Sequence, residues 1–110
     1  MSLVIPNKYE VFYQNMENLK VLVAQLEKDI PDLESAFSTE LESIYEVLVT
    51  YFSKEDLESF LPQLLYKIDV SERGLHEKMT LGRYPSFSEL VAESVLVREM
   101  EKVFYRITYS

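Results

Sequence analysis

The side chains able to do chemistry are few, and most are carboxylates. His76 is the single histidine. Glu72 lies four residues before it, on the same face of a helix. A Glu–His pair at that spacing suits a base with an orienting carboxylate, or one weak metal contact. The Glu-x-x-His pattern of di-iron bundles and the His-Glu-x-x-His pattern of zinc proteases are absent. His76 therefore reads as a surface or boundary histidine. Two further carboxylates fall on or beside apolar stripes. Glu40 borders Leu33, Phe37 and Leu41, and Glu93 sits between Leu90, Val97 and Met100. A buried ionised carboxylate is costly unless paired. Each is expected to meet a donor such as Arg98, Lys67 or Arg83, or to reach water at a helix edge. The alternative is an acid or metal ligand in a cleft. Clustered Glu-Glu-x-x-Glu motifs of helical nucleotide hydrolases are absent.

Composition removes other chemistries. There is no cysteine, so disulfides, thiolate metal sites and cysteine nucleophiles are excluded. With 2 glycines, a glycine-rich phosphate cradle is excluded in practice. No catalytic, cofactor-binding or metal-ligating residue is assigned, and no cofactor is implied.

Charge is unevenly placed. The net charge is −8. Residues 32–58 carry eight acids (Asp32, Glu34, Glu40, Glu42, Glu46, Glu55, Asp56 and Glu58) and one base, Lys54, whereas residues 59–110 are balanced. Glu42 and Glu46 are a like-charge pair four apart. Acids in a helix's first turn complement its dipole, which accounts for Glu55, Asp56 and Glu58. The others form a solvated face or a docking surface for a basic partner, where like charge steers encounter more than it adds affinity.

The elements that position these groups are helices. Phe12, Met16, Leu19, Val23, Leu26 and Ile30 recur at spacings of three and four, which is one helical stripe. Asn7 with Glu10 has the pattern of a capping box, and Pro31 should end or kink this helix near Asp29. Leu33, Phe37, Leu41, Ile44, Leu48 and Tyr51 or Phe52 line a second helix. Ser53 reads as the cap of a third, with Leu57, Phe60, Leu61, Leu64, Leu65 and Ile68 on one face and a kink or fresh start expected at Pro62. Ser71 should cap a short helix over residues 72–79. Residues 80–85 form a loop carrying Arg83 and Tyr84. Ser86 and Glu89 make a capping box for a last helix over residues 87–107. Its end is rich in β-formers, but a lone strand has no partner here.

The 8 tyrosines suit core edges or an interface, where the ring is buried and the hydroxyl stays wet. Val11, Val21 and Leu22 on the first helix, and Val91 and Val95 on the last, lie off the main stripes. Both helices are thus apolar on more than one side, as interface helices are. Residues 53–83 have the outline of a helix-turn-helix. Five bases against six acids, with few base-reading side chains, argue against nucleic-acid recognition.

The run 61–72 (LPQLLYKIDVSE) and the closing 98–106 (REMEKVFYR) resemble small bacterial helical proteins with no assigned activity. The resemblance implies a bacterial cytosolic origin and brings no site residue with it.

Together these features predict one all-α domain over residues 1–110. It should be an up-and-down bundle of four main helices plus a short one, with the first two forming an antiparallel hairpin at Pro31. No apolar run spans a membrane and no signal peptide is visible, which points to the cytoplasm. The function expected is non-enzymatic: protein–protein interaction, as a homodimer or with a basic partner. The alternatives are a small metal-dependent hydrolase using Glu40, Glu93, Glu72 and His76, or a regulator acting on nucleic acid. The residues singled out as contact or site candidates are Glu40, Glu42, Glu46, Glu72, His76, Arg83, Tyr84 and Glu93.

Overall fold

A computed structural model describes residues 3–33, 40–54 and 57–109. Among these the regular structure is all helical: α1 (Asn7–Phe12), α2 (Met16–Asp29), α3 (Leu41–Phe52), α4 (Leu57–Ile68), α5 (Glu72–Thr80) and α6 (Phe87–Tyr109). Glu34 and Phe37, and the expected first-turn acids Glu55 and Asp56, lie outside the described residues.

The first expected helix is two. Asn15 breaks it, because its Oδ1 accepts from the N–H of Glu17 at 2.8 Å and of Asn18 at 3.3 Å. That satisfies two of the donors that open a helix, so a new helix starts at Met16. The Asn18 amide in turn donates to the Phe12 carbonyl at 3.0 Å, which ties down the end of α1. Asn7 makes no capping bond; it is the first helical residue, behind Pro6, a position where proline's fixed φ suits the approach.

α2 stops at Asp29, as Pro31 requires. Ile30 is extended and Asp32 has a φ of 59°. Residues 34–39, on which the expected hairpin and the start of the second expected helix fall, lie outside the described residues; the described part of that helix is α3, Leu41–Phe52. The expected capping partner of Ser53, Asp56, lies outside the described residues. Ser53 closes α3, its Oγ donating to the Val49 carbonyl at 2.7 Å. α4 runs through Pro62 as one helix. It ends at Asp69, which adopts the left-handed φ of 72° while the Val70 N–H reaches back to the Leu65 carbonyl at 2.8 Å. That is the helix-ending bond of a Schellman-type stop, with aspartate where glycine is usual. Ser71 caps α5 through the Gly74 N–H at 3.0 Å, and Ser86 caps α6 through the Glu89 N–H at 3.2 Å.

α6 is the axis of the molecule, and each of the other five helices packs against it. Leu90, Val91, Ala92, Val95, Leu96, Met100 and Val103 are all fully buried. Val91 and Val95 are therefore covered by the protein's own helices and are not an outer interface. A helix apolar on several sides is what a central position demands. α2 and α6 run antiparallel: Gln25 meets Arg106 while Asp29, one turn on, meets Lys102, one turn back. Burial of each large aliphatic side chain along α6 contributes roughly 1.5–3 kcal/mol. Among the described residues, no helix is long and apolar enough to cross a membrane.

Candidate functional site

The candidates from the sequence divide into three places. Glu40, Glu42 and Glu46 are exposed at the start and on the outer face of α3. Glu40 sits at the N-cap position without a side-chain capping bond. Glu46 borders a shallow groove of about 540 Å³ shared with Asp32, Tyr51 and Lys54. The Tyr51 hydroxyl, on that groove, donates to the Pro31 carbonyl at 2.8 Å.

Glu72 and His76 are exposed on α5. No ion pair joins them. The imidazole is stacked on Phe87 instead, with ring centroids 5.5 Å apart and planes 18° apart. Among the described residues no three His, Cys, Asp or Glu side chains converge in a group that could hold a metal.

Arg83, Tyr84 and Glu93 are brought together. They line a cleft of about 730 Å³ between α5, α6 and the segment before α1. Each is there for a local reason. Gly82, with a φ of 72°, turns the chain out of α5 so that Arg83 and Tyr84 face α6, a backbone geometry that glycine adopts without penalty. Glu93 projects from the second turn of α6. It is only 6% exposed. Its Oε1 accepts the Val4 N–H at 3.3 Å, while its Oε2 has no hydrogen-bond partner. The neighbouring hydroxyl of Tyr45 is likewise buried and unpaired. Burial, followed by the charges of Glu89, Glu93 and Glu42, pushes that phenol up to about 12. Burial and then Glu93 also raise the pKa of Tyr84. Both phenols thus stay protonated across the neutral range and remain hydrogen-bond donors.

Of the donors expected for Glu40 and Glu93, Arg98 and Lys67 are engaged elsewhere. Arg98 holds Asp69 at 2.9 Å and Glu101 at 2.6 Å. Lys67 donates to the Asp29 carbonyl at 3.2 Å. Lys78 and Arg83, which also border the cleft, make no ion pair among the described residues. Glu40 does not line this cleft, so it and Glu93 do not share a site.

A second polar cluster escaped the sequence reading. Asp29 on α2 and Glu99 on α6 are both buried, Glu99 completely. Lys102 Nζ lies 3.4 Å from Glu99 and 3.7 Å from Asp29. Gln25 donates to Asp29 at 2.8 Å and accepts from Arg106 at 2.9 Å. Burial, then the Asp29 carboxylate beside it, pushes Glu99 up to about 8. Burial works against ionisation of Asp29 too. Hydrogen bonds from Glu99 and Gln25 and the charges of Lys102 and Lys67 outweigh it, and hold Asp29 below its ordinary range. One proton, kept by Glu99, serves the pair. The signal was present: Glu99 lies four residues after Val95 and four before Val103, on the buried stripe of α6.

No protein-family model, curated protein or solved structure matches the chain, so its chemistry is read from its own residues.

Proposed function

We propose that the protein is a non-enzymatic interaction module of the cytosol, built as an up-and-down bundle of α2, α3, α4 and α6, and that it associates with a second copy of itself. The observation that carries this reading is the far end of α6. Residues 105–109 are exposed, and Tyr105, Ile107 and Tyr109 are large apolar side chains among them, Tyr109 being 72% exposed. Tyr105 and Tyr109 stack on one another with centroids 5.4 Å apart. Lys8 of α1 lies over the Tyr105 ring at 5.8 Å, and Val11, one turn further along α1, is also exposed. Contiguous aromatic surface of this kind is what association buries.

Charge selects the occupant. The patch carries Lys8 and Arg106, whereas Glu42, Glu46 and Asp32 lie exposed on and beside α3. The cationic aromatic end of one copy complements the acidic face of the next, with the acids steering the encounter. Cysteine-free composition and the antiparallel run of α2 along α6 support the cytosolic bundle.

Light scattering over a concentration series tests the reading. The protein should exceed its monomer mass at high concentration and lose that excess with added salt, in a Tyr105→Ser/Tyr109→Ser variant, and in Glu46→Lys. A monomer mass at every concentration rejects self-association.

A further inference from the structure

The cleft between α5, α6 and the segment before α1 has the features of a ligand site, on a different surface from the aromatic end of α6. Its volume of about 730 Å³ is in the range of small-molecule pockets. Its floor holds a carboxylate that folding leaves half satisfied. Glu93 is 6% exposed, and one of its oxygens has no partner. An unmet acceptor at that depth is costly, and more so when charged. A ligand that donates to it recovers that cost. Lys78 and Arg83 also line the cleft, exposed cations without ion-pair partners among the described residues. Val70, Leu75 and Val97 make part of its wall apolar. Tyr84, half-buried in the lining, turns its protonated hydroxyl towards Glu93.

We infer that this cleft binds a short zwitterionic peptide, with its ammonium group on Glu93, its apolar side chains against Val70, Leu75 and Val97, and its carboxylate at Lys78 and Arg83. Either pole alone would suit many ions. The combination of a buried acceptor, an apolar wall and unpaired cations selects a ligand with both charges and grease between them. Arg98 is not one of the ligand's cations, because Asp69 and Glu101 already hold it.

The test uses trileucine with free ends, titrated into the protein and read by calorimetry and by amide chemical shifts. Saturable binding is expected, with shifts concentrated on α5, residues 83–84 and the first half of α6. N-acetylation of the peptide, or Glu93→Gln, should weaken binding at least tenfold. C-amidation, or Arg83→Ala with Lys78→Ala, should weaken it several-fold. Blocked and free peptides that bind alike would overturn the assignment, as would an absence of saturable binding. The blocked peptides are tested on the unaltered protein, so the result stands even if Glu93→Gln fails to fold.

Discussion

Glu99 and Asp29 form a buried carboxyl pair across the α2–α6 contact, and one ammonium serves both. Lys102 Nζ is 3.4 Å from the first and 3.7 Å from the second. Neither acid is alone in a low dielectric, yet two full negative charges there would exceed what one lysine offsets. The protonated Glu99 resolves the excess.

That proton makes stability fall with rising pH. Glu99 titrates at 4.5 in an open chain and near 8 when folded. Between these values the native state binds the extra proton, so its contribution is complete below about 4.5 and is lost as pH climbs through about 8. Asp29, held low, acts oppositely and only in acid. Glu99→Gln keeps the shape but cannot ionise. Denaturant midpoints at pH 6 and pH 9 should differ in the parent protein and nearly coincide in the variant. An equal difference in both would remove Glu99 as the source.

The Tyr13 hydroxyl donates to the Met100 carbonyl at 2.7 Å from a buried position. This bond ties the turn between α1 and α2 to the middle of α6. Tyr13→Phe should cost about 0.5–1.5 kcal/mol, the net value of an intramolecular hydrogen bond. Urea unfolding reads it as a lower midpoint at an unchanged slope.

Asn15 sets where α2 begins. Asn15→Ala should cost about 0.5–2 kcal/mol. Asn15→Asp, which keeps the capping oxygen, should cost little. A comparable loss in both variants would place the effect in something other than the cap.

Burial should decide the cost of truncation. Leu96 is fully buried, and Leu96→Ala should cost about 2–5 kcal/mol. Tyr66 is 89% exposed on α4, and Tyr66→Ala should stay within about 0.5 kcal/mol. Thermal melts of the two variants make the comparison.

Much of the frame was legible in residue order. Ser71 and Ser86 cap the helices their positions implied, because a hydroxyl two or three residues before an amide is local chemistry that packing rarely overrides. Pro31 lies outside a helix for an equally local reason. Asn15 was passed over because the apolar stripe continues on both sides of it, and periodicity does not register a break that preserves phase. The two-sided apolar character of α6 was visible, but one sequence cannot say whether the covering surface belongs to the same chain. Arg83 was an expected donor for Glu93 and shares its cleft, whereas nothing in residue order placed Tyr84 beside them. The pair of Asp29 and Glu99 stayed hidden for a similar reason, since seventy residues separate them.

The order of the helices along the chain has a consequence for synthesis. Five helices emerge from the ribosome before the one that covers their apolar faces. Until α6 is available, Leu22, Leu26, Ile44, Leu48 and Leu65 lack the surface that closes over them, and short isolated helices are marginal in water. The final folding step therefore waits for the last-made of the six.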